Sequence, residues 1–304
     1  MPSRSPNSWR GPDVAAGERL PEPTDERPAG QHLAFLGAGT MGGTIARGLV
    51  AAGRDPRTIG VTSHGAATRE KLSRELKVLA FDDNPSAAQW ADVVVLGVKP
   101  AQALAVCDEI EPAVGEGTIV VSLCAGLSCA LLESRLPQGT AVIRVMPNTP
   151  ASVGAAISGV SGGSSASDAD VAAAIAVMSA VGKAVVIPES QQDALAAISG
   201  SGPAYVFYFV EALVEAGVTQ GLARPLATEL AVQTLLGSAR LLDETGTHPT
   251  LLREAVTSPG GTTAAALRAL DDRGLRCAIQ DAVAACARRS AELGAQAAAD
   301  AGSR

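Results

Sequence analysis

Aromatic residues are scarce: Phe, Trp and Tyr make up 3% of the 304 residues. A core without them must be filled by Ala, Val, Leu and Ile, and a hydrophobic content of 47% suffices for two domains of ordinary size. Basic excess is also missing. The formal net charge is −7 and no Lys/Arg stripe stands out, so a nucleic-acid partner is not expected. Five cysteines (Cys107, Cys124, Cys129, Cys277, Cys286) form no CxxC pair and leave one over, as for free thiols in a reducing cytoplasm. The three histidines make no HExxH motif or paired cluster, so no metal site is expected. No run of roughly 18 uninterrupted apolar residues occurs, and no membrane span is expected. Residues Met1–Gly30 are rich in Pro, Arg, Ser, Glu and Gly and lack the apolar stretch of a secretory signal. They read as a disordered tail or as the result of a mis-chosen start codon.

What is present is an alternation. Short β-branched runs, expected as strands at Leu33–Gly37, Thr58–Thr62, Val93–Val98, Thr118–Ser122, Ala141–Val145, Ala155–Ser158 and Ala184–Ile187, are separated by helical patterns such as Thr44–Ala52 and Asp168–Val181. This order predicts βαβ units and a mostly parallel sheet. Val93-Val94-Val95-Leu96 is continuous, as in a strand covered on both faces. After Pro188 the patterns are helical throughout: Gly202–Ala216, Leu226–Asp243, Pro249–Val256, Thr262–Asp272 and Leu275–Ala299. Pro203 falls in the first turn of one helix, and Gly217, Gly221 and Gly246 are candidate helix stops. The abundance of Ala, Leu and Val in this part favours packing against a second copy.

Two glycine-rich segments carry the chemistry. The first, Gly37-Ala38-Gly39-Thr40-Met41-Gly42, follows the first strand and opens a helix. Gly37 permits the tight turn, Gly39 lets a phosphate approach the backbone, and Gly42 lets the helix lie close to the strand. The helix N-terminus then offers free N–H groups to a pyrophosphate. The result is an α/β Rossmann-like dinucleotide-binding domain. An NAD site usually places an acid about 20 residues beyond the last glycine. Here Thr62-Ser63-His64 stands instead, with Arg69 and Lys71 soon after. Small hydroxyls beside cations suit a 2′-phosphate, so the expected cofactor is NADPH, with NADH as the alternative. Arg69 and Lys71 are equally compatible with a solvated helix face. Ligands of open α/β sheets gather at the carboxyl ends of strands, which places Val98, Lys99 and Pro100, and Cys124-Ala125-Gly126, near the nicotinamide half. Lys99 is also compatible with an ordinary position at the sheet rim. Cys124 has no histidine nearby in sequence and is not expected to be a nucleophile.

The second segment is Ser258-Pro259-Gly260-Gly261-Thr262-Thr263, opening a helix. Its hydroxyls and N–H groups exceed what helix capping needs and suit a small carboxylate. Together with Arg144-Val145-Met146-Pro147-Asn148 and Ser199-Gly200-Ser201-Gly202-Pro203-Ala204-Tyr205, these segments resemble the pyrroline-5-carboxylate reductase family from about Leu33 to about Leu293. That resemblance implies NAD(P)H-dependent hydride transfer to the imine carbon of 1-pyrroline-5-carboxylate, giving L-proline. It implies cofactor contacts at Leu36, Gly37, Ala38, Gly39, Thr40 and Met41. It implies a 2′-phosphate contact at Ser63, a further cofactor contact at Asn84, and nicotinamide-side contacts from Gly97 through Pro100 and from Cys124 through Gly126. Glu189 matches an acid near the substrate. Ser258, Gly260, Gly261, Thr262 and Thr263 match the loop that holds the pyrroline carboxylate, with Thr263 at the ring nitrogen. Family members dimerise through the helical domain, and many assemble further as pentamers of dimers. Ala196 stands where family members usually have threonine, and Gly246 where some carry an acid. The expected organisation is a tail at 1–30, an NADP-binding domain at 31–188 and a helical dimerisation and substrate-binding domain at 189–304. A related β-hydroxyacid dehydrogenase would need a lysine in the second domain, and none occurs from Glu189 onward. A nucleotide-sensing protein on the same fold is the non-enzymatic alternative.

Overall fold

A computed structural model describes residues 31–302, so the expected tail lies outside the described residues. The strands are β1 (Leu33–Leu36), β2 (Ile59–Val61), β3 (Leu79–Ala80), β4 (Val93–Leu96), β5 (Ile119–Ser122), β6 (Ala141–Met146), β7 (Ala156–Gly162) and β8 (Gly182–Val186). They form one sheet in the order β3-β2-β1-β4-β5-β6-β7-β8. Pairing is parallel from β3 across to β6; β7 runs antiparallel to β6, and β8 parallel to β7. Two-residue β3, Leu79–Ala80, has no expected counterpart, because both its residues are exposed and no apolar period marks it.

Helices α1 (Thr40–Ala51), α2 (Ala66–Leu76), α3 (Asn84–Trp90), α4 (Pro100–Ile110), α5 (Cys129–Glu133) and α6 (Asp168–Ser179) connect these strands. Every residue of β1 and β4 is buried. Leu33, Phe35, Val93 and Val95 enter one apolar cluster with α1 and α6. Ala34, Leu36, Val94 and Leu96 enter a second with α3 and α4. Side chains alternate across a strand, so a continuous apolar run fills the cores on both faces at once.

Beyond the sheet lie α7 (Gln192–Leu195), α8 (Gly202–Thr219), α9 (Arg224–Thr245), α10 (Pro249–Ala255), α11 (Thr262–Asp272) and α12 (Leu275–Gly302). Between α7 and α8, Ala196–Gly200 forms a π-helical turn. Gly246 caps α9 in the left-handed region (φ 61°), as expected of a stop. Gly217 is not a stop: it lies inside α8, where an added Cβ would come within 3.1 Å of Ala227 Cβ, and its smallness serves close packing against α9. The helical stretch Glu189–Thr219 has the length and apolar content to cross a membrane by composition alone, although Glu211 and Glu215 interrupt it.

The chain divides into two compact units. One holds the sheet, up to Pro203, together with the segment from Val283 to the end; the other holds Ala204–Ala282. In the sheet unit, Ser290 on α12 donates to Asp193 Oδ1 at 2.7 Å, and Gly294 meets the backbone of Gly126 so closely that a Cβ would fall 2.8 Å from its carbonyl oxygen.

Candidate active site

β1 and β4 are sequence-distant neighbours at the centre of the sheet, and their carboxyl ends form the crevice where an open α/β sheet takes a dinucleotide. Gly37 begins the turn after β1 at φ +83°. A Cβ there would lie 2.6 Å from Val98 Cγ1, and one at Gly97 would lie 2.8 Å from the Gly37 carbonyl oxygen. Glycine at both places lets the turns after β1 and β4 touch, bringing together Gly37, Gly97 and Val98 beside buried Leu36. At Gly39 the neighbouring space is open, its nearest atom being the Gly37 carbonyl oxygen at 4.0 Å, so a phosphate could approach the backbone. Gly42 lies over the same carbonyl, 3.1 Å from where its Cβ would be. No side chain caps α1, so the N–H groups of its first turn, at Thr40, Met41 and Gly42, face outward for an anion. Ala38 donates its N–H to the Thr62 carbonyl at 2.8 Å, tying the turn to the end of β2. The cradle thus fits a pyrophosphate.

Ser63 is half-buried beside this edge and Asn84 opens α3. Asn84 does not stand free: its Oδ1 accepts from Thr62 Oγ1 at 2.7 Å. Arg69 is already engaged with Asp82 at 2.7 Å and with the Phe81 carbonyl, while Lys71 is exposed. Lys99 and Pro100 are exposed at the start of α4. Cys124 is buried, with its thiol donating to the Val98 carbonyl at 3.3 Å; burial pushes its pKa up to about 11. A thiol so held packs against the carboxyl end of β4. Ala125 is exposed, and Gly126 adopts φ +78°.

Glu189 sits in a short turn after β8, where its Oε1 accepts from the Cys129 N–H at 2.7 Å and lies 3.4 Å from Arg144 Nη1. Arg144, mostly buried on β6, also reaches Asp193 Oδ1 at 3.8 Å. Arg144, Asp193 and Ser290 border a cavity of about 210 Å³ that is also lined by Gly126, Ser128 and Gly294. No role for Asp193 or Ser290 is legible from composition or spacing. A charged residue inside an apolar strand, Arg144, was the available signal.

In the unit Ala204–Ala282, the hydroxyl turn follows α10. Gly260 has φ +70° and Gly261 donates its N–H to the Ser258 carbonyl at 3.1 Å, closing a turn whose next residues are Thr262 and Thr263 on α11. Gly261 is the N-cap and no side chain caps the helix. Among the described residues, no protein group is bonded to the hydroxyls of Ser258, Thr262 or Thr263. Ser258 and Thr262 are exposed and Thr263 is half-buried. An uncapped helix start ringed by three uncommitted hydroxyls can bind a carboxylate and one further polar atom. The same unit contains a cavity of about 390 Å³ bordered by Thr257 and Ala264 at the two ends of this turn and by Arg253, Arg268 and Arg276.

Residues 189–293 match the family described as pyrroline-5-carboxylate reductase dimerisation. Residues 32–126 match one described as NADP oxidoreductase, coenzyme F420-dependent. A pyrroline-5-carboxylate reductase of Corynebacterium melassecola is 42% identical over 265 residues, spanning 86% of this chain and 98% of that enzyme. Among solved structures, a pyrroline-5-carboxylate reductase from Coxiella burnetii superposes with a TM-score of 0.83 at 38% identity, over 87% of this chain and 98% of its own. The Plasmodium falciparum pyrroline carboxylate reductase, solved with NADP bound, gives a TM-score of 0.79 at 29% identity over 87% and 98%.

Proposed function

The chain belongs to the pyrroline-5-carboxylate reductase family, and from that premise we propose how its residues divide the work of reducing 1-pyrroline-5-carboxylate to L-proline. The uncapped start of α11 with its three uncommitted hydroxyls is the observation that carries the assignment. The substrate is a cyclic imine bearing a carboxylate. N–H groups at Thr262 and Thr263, with the Ser258 hydroxyl, hold that carboxylate against the positive end of α11. Gly260 and Gly261 keep the approach free of side chains. Thr263 holds the ring nitrogen, its hydroxyl orienting that atom or relaying a proton to it. The imine can be protonated before reduction, so positioning supplies most of what the protein must contribute. Absence of a Lys/Asn or His/Asp catalytic pair fits this chemistry.

The cofactor is NADPH, with NADH as the alternative. When bound, its reduced nicotinamide supplies the hydride that adds to the imine carbon. Leu36 through Gly42 cradle the pyrophosphate and Ser63 meets the 2′-phosphate. Asn84 contacts the cofactor, and Gly97 through Pro100 and Cys124 through Gly126 line the nicotinamide half. Glu189, already bonded to Cys129 and near Arg144, orders the substrate side of the sheet unit. Residues 189–304 serve dimerisation and substrate binding, and 31–188 cofactor binding. The exposed apolar residues of α8 and α9 support a homodimer, with pentamers of dimers as the further assembly. Burial of α8 between copies accounts for its apolar content without a membrane, and the free thiols support a cytoplasmic location.

Oxidation of NADPH with 1-pyrroline-5-carboxylate tests the reading. Thr263→Ala should lower kcat about a hundredfold while NADPH affinity stays unchanged. A variant as fast as the wild type would remove Thr263 from this role, and a wild type that binds NADPH without turnover would favour a sensor.

A further inference from the structure

Beneath the pyrophosphate turn runs a chain of hydrogen bonds with a fixed direction. Gly37 donates its N–H to Thr62 Oγ1 at 3.2 Å. Thr62 Oγ1 donates to Asn84 Oδ1 at 2.7 Å. Asn84 Nδ2 donates to Glu109 Oε2 at 2.8 Å. The four residues come from the turn after β1, the residue after β2, the first position of α3 and the last turn of α4, so the sheet topology alone brings them together.

The direction is set at one end. A carboxylate only accepts, so Glu109 requires the NH₂ side of the Asn84 carboxamide and leaves the oxygen for Thr62. With the carboxamide reversed, two acceptors would oppose each other at Glu109. The Thr62 hydroxyl would then face two donors, and its own hydrogen would lose its partner at a site only 4% exposed. Glu109 therefore decides which way Asn84 points, while one Nδ2 hydrogen of Asn84 remains uncommitted. Through Thr62 the same chain keeps the Gly37 N–H turned inward. The acid that a dinucleotide site usually carries directly after β2 is missing here, and an acid from α4 reaches the same edge with Asn84 as intermediary.

We propose that Glu109 is a positioning residue for the nicotinamide cofactor, holding the Asn84 carboxamide and the Thr62 hydroxyl in one orientation at the carboxyl ends of β1 and β2. The proposal rests on the reading of this edge as the NADPH site. It is tested by the affinity of NADPH alone, from the change in its fluorescence on binding, followed by steady-state kinetics. Glu109→Ala should raise both the dissociation constant and the KM for NADPH about fivefold. Values of kcat and of KM for 1-pyrroline-5-carboxylate should stay within about twofold of wild type. Glu109→Gln, which keeps an acceptor for Asn84, should recover most of the affinity. Thr62→Val should add little to Glu109→Ala, because both break the same chain. Glu109 is exposed, and an unchanged melting temperature without cofactor will separate orientation from folding. Unchanged NADPH affinity in Glu109→Ala, or a Gln variant as impaired as the Ala variant, overturns the proposal. A wild type that fails to bind NADPH overturns instead the reading on which it rests.

Discussion

The sheet unit and the unit Ala204–Ala282 solve the problem of burial in opposite ways. The sheet buries strands on both faces, with large clusters built around β1, β4, β5 and β6. Among its described residues the helical unit buries Val214, Ala227 and Ala231 in a cluster of its own. Meanwhile Phe207, Tyr208 and Phe209 on α8, and Leu226, Leu230 and Leu236 on α9, remain exposed, Tyr208 to 76%. Side chains of this size are worth about 1.5–3 kcal/mol each when buried, and a single copy of these helices leaves much of that ungained. A second copy would supply the missing half of the core, in keeping with the match of residues 189–293 to a dimerisation family. The sheet unit closes its core within one chain, whereas the helical unit leaves large apolar side chains open.

The contrast can be broken most severely at α8. Phe207→Asp with Leu213→Asp should leave a monomer by sedimentation and reduce turnover about a hundredfold or more, because each charge would be buried without a partner. NADPH binding by the sheet unit should persist. A double variant that stays dimeric and active, or that loses the cofactor, would dissolve the distinction.

Gly37→Ala probes the other side. A Cβ 2.6 Å from Val98 Cγ1, at a backbone angle of φ +83°, should weaken NADPH binding by about tenfold or more through strain of about 2 kcal/mol. Dimerisation should be untouched. Calorimetric titration with NADPH and sedimentation of the same sample check both halves.

The smallest effect concerns pH. Burial pushes Cys107 up to about 12, Cys124 up to about 11 and Cys129 up to about 12, against 9.0 ordinarily. Above about pH 9 the unfolded chain gives up thiol protons that the folded sheet unit keeps. The stability these thiols contribute is therefore full below that pH and falls as pH rises through about 11. Urea midpoints should decline between about pH 9 and pH 11, less steeply for Cys107→Ala. A slope identical in the variant would exclude Cys107 from the effect.

Much of this was legible in the residues. The all-buried strands announced themselves as apolar runs, and the turn after β1 as a glycine pattern with a strand before it and a helix after it. Helices 262–272 and 249–255 lay within a residue of their expected bounds, because Gly, Pro and Ser punctuate them. Other features had no local signal. Exposed β3 is held only by its neighbour, and Gly217 looked like a stop because the packing that needs it is tertiary. Arg69 was open to a phosphate role by composition, yet Asp82 takes it up across a turn that spacing does not reveal. The tie between Asn84 and Glu109 joins α3 to α4 at the carboxyl edge of the sheet and belongs to no motif.

The docking of Ser290 and Gly294 into the sheet unit has a consequence for biogenesis. In sequence, Ala204–Ala282 lies between two segments of the sheet unit, one ending at Pro203 and one beginning at Val283. During synthesis the strands of the sheet unit emerge before Ser290 and Gly294, so the contacts of Asp193 and Gly126 wait for α12. A chain cut before Ser290 would leave Asp193 and Gly126 without these contacts, so this stretch of α12 closes over residues already in place.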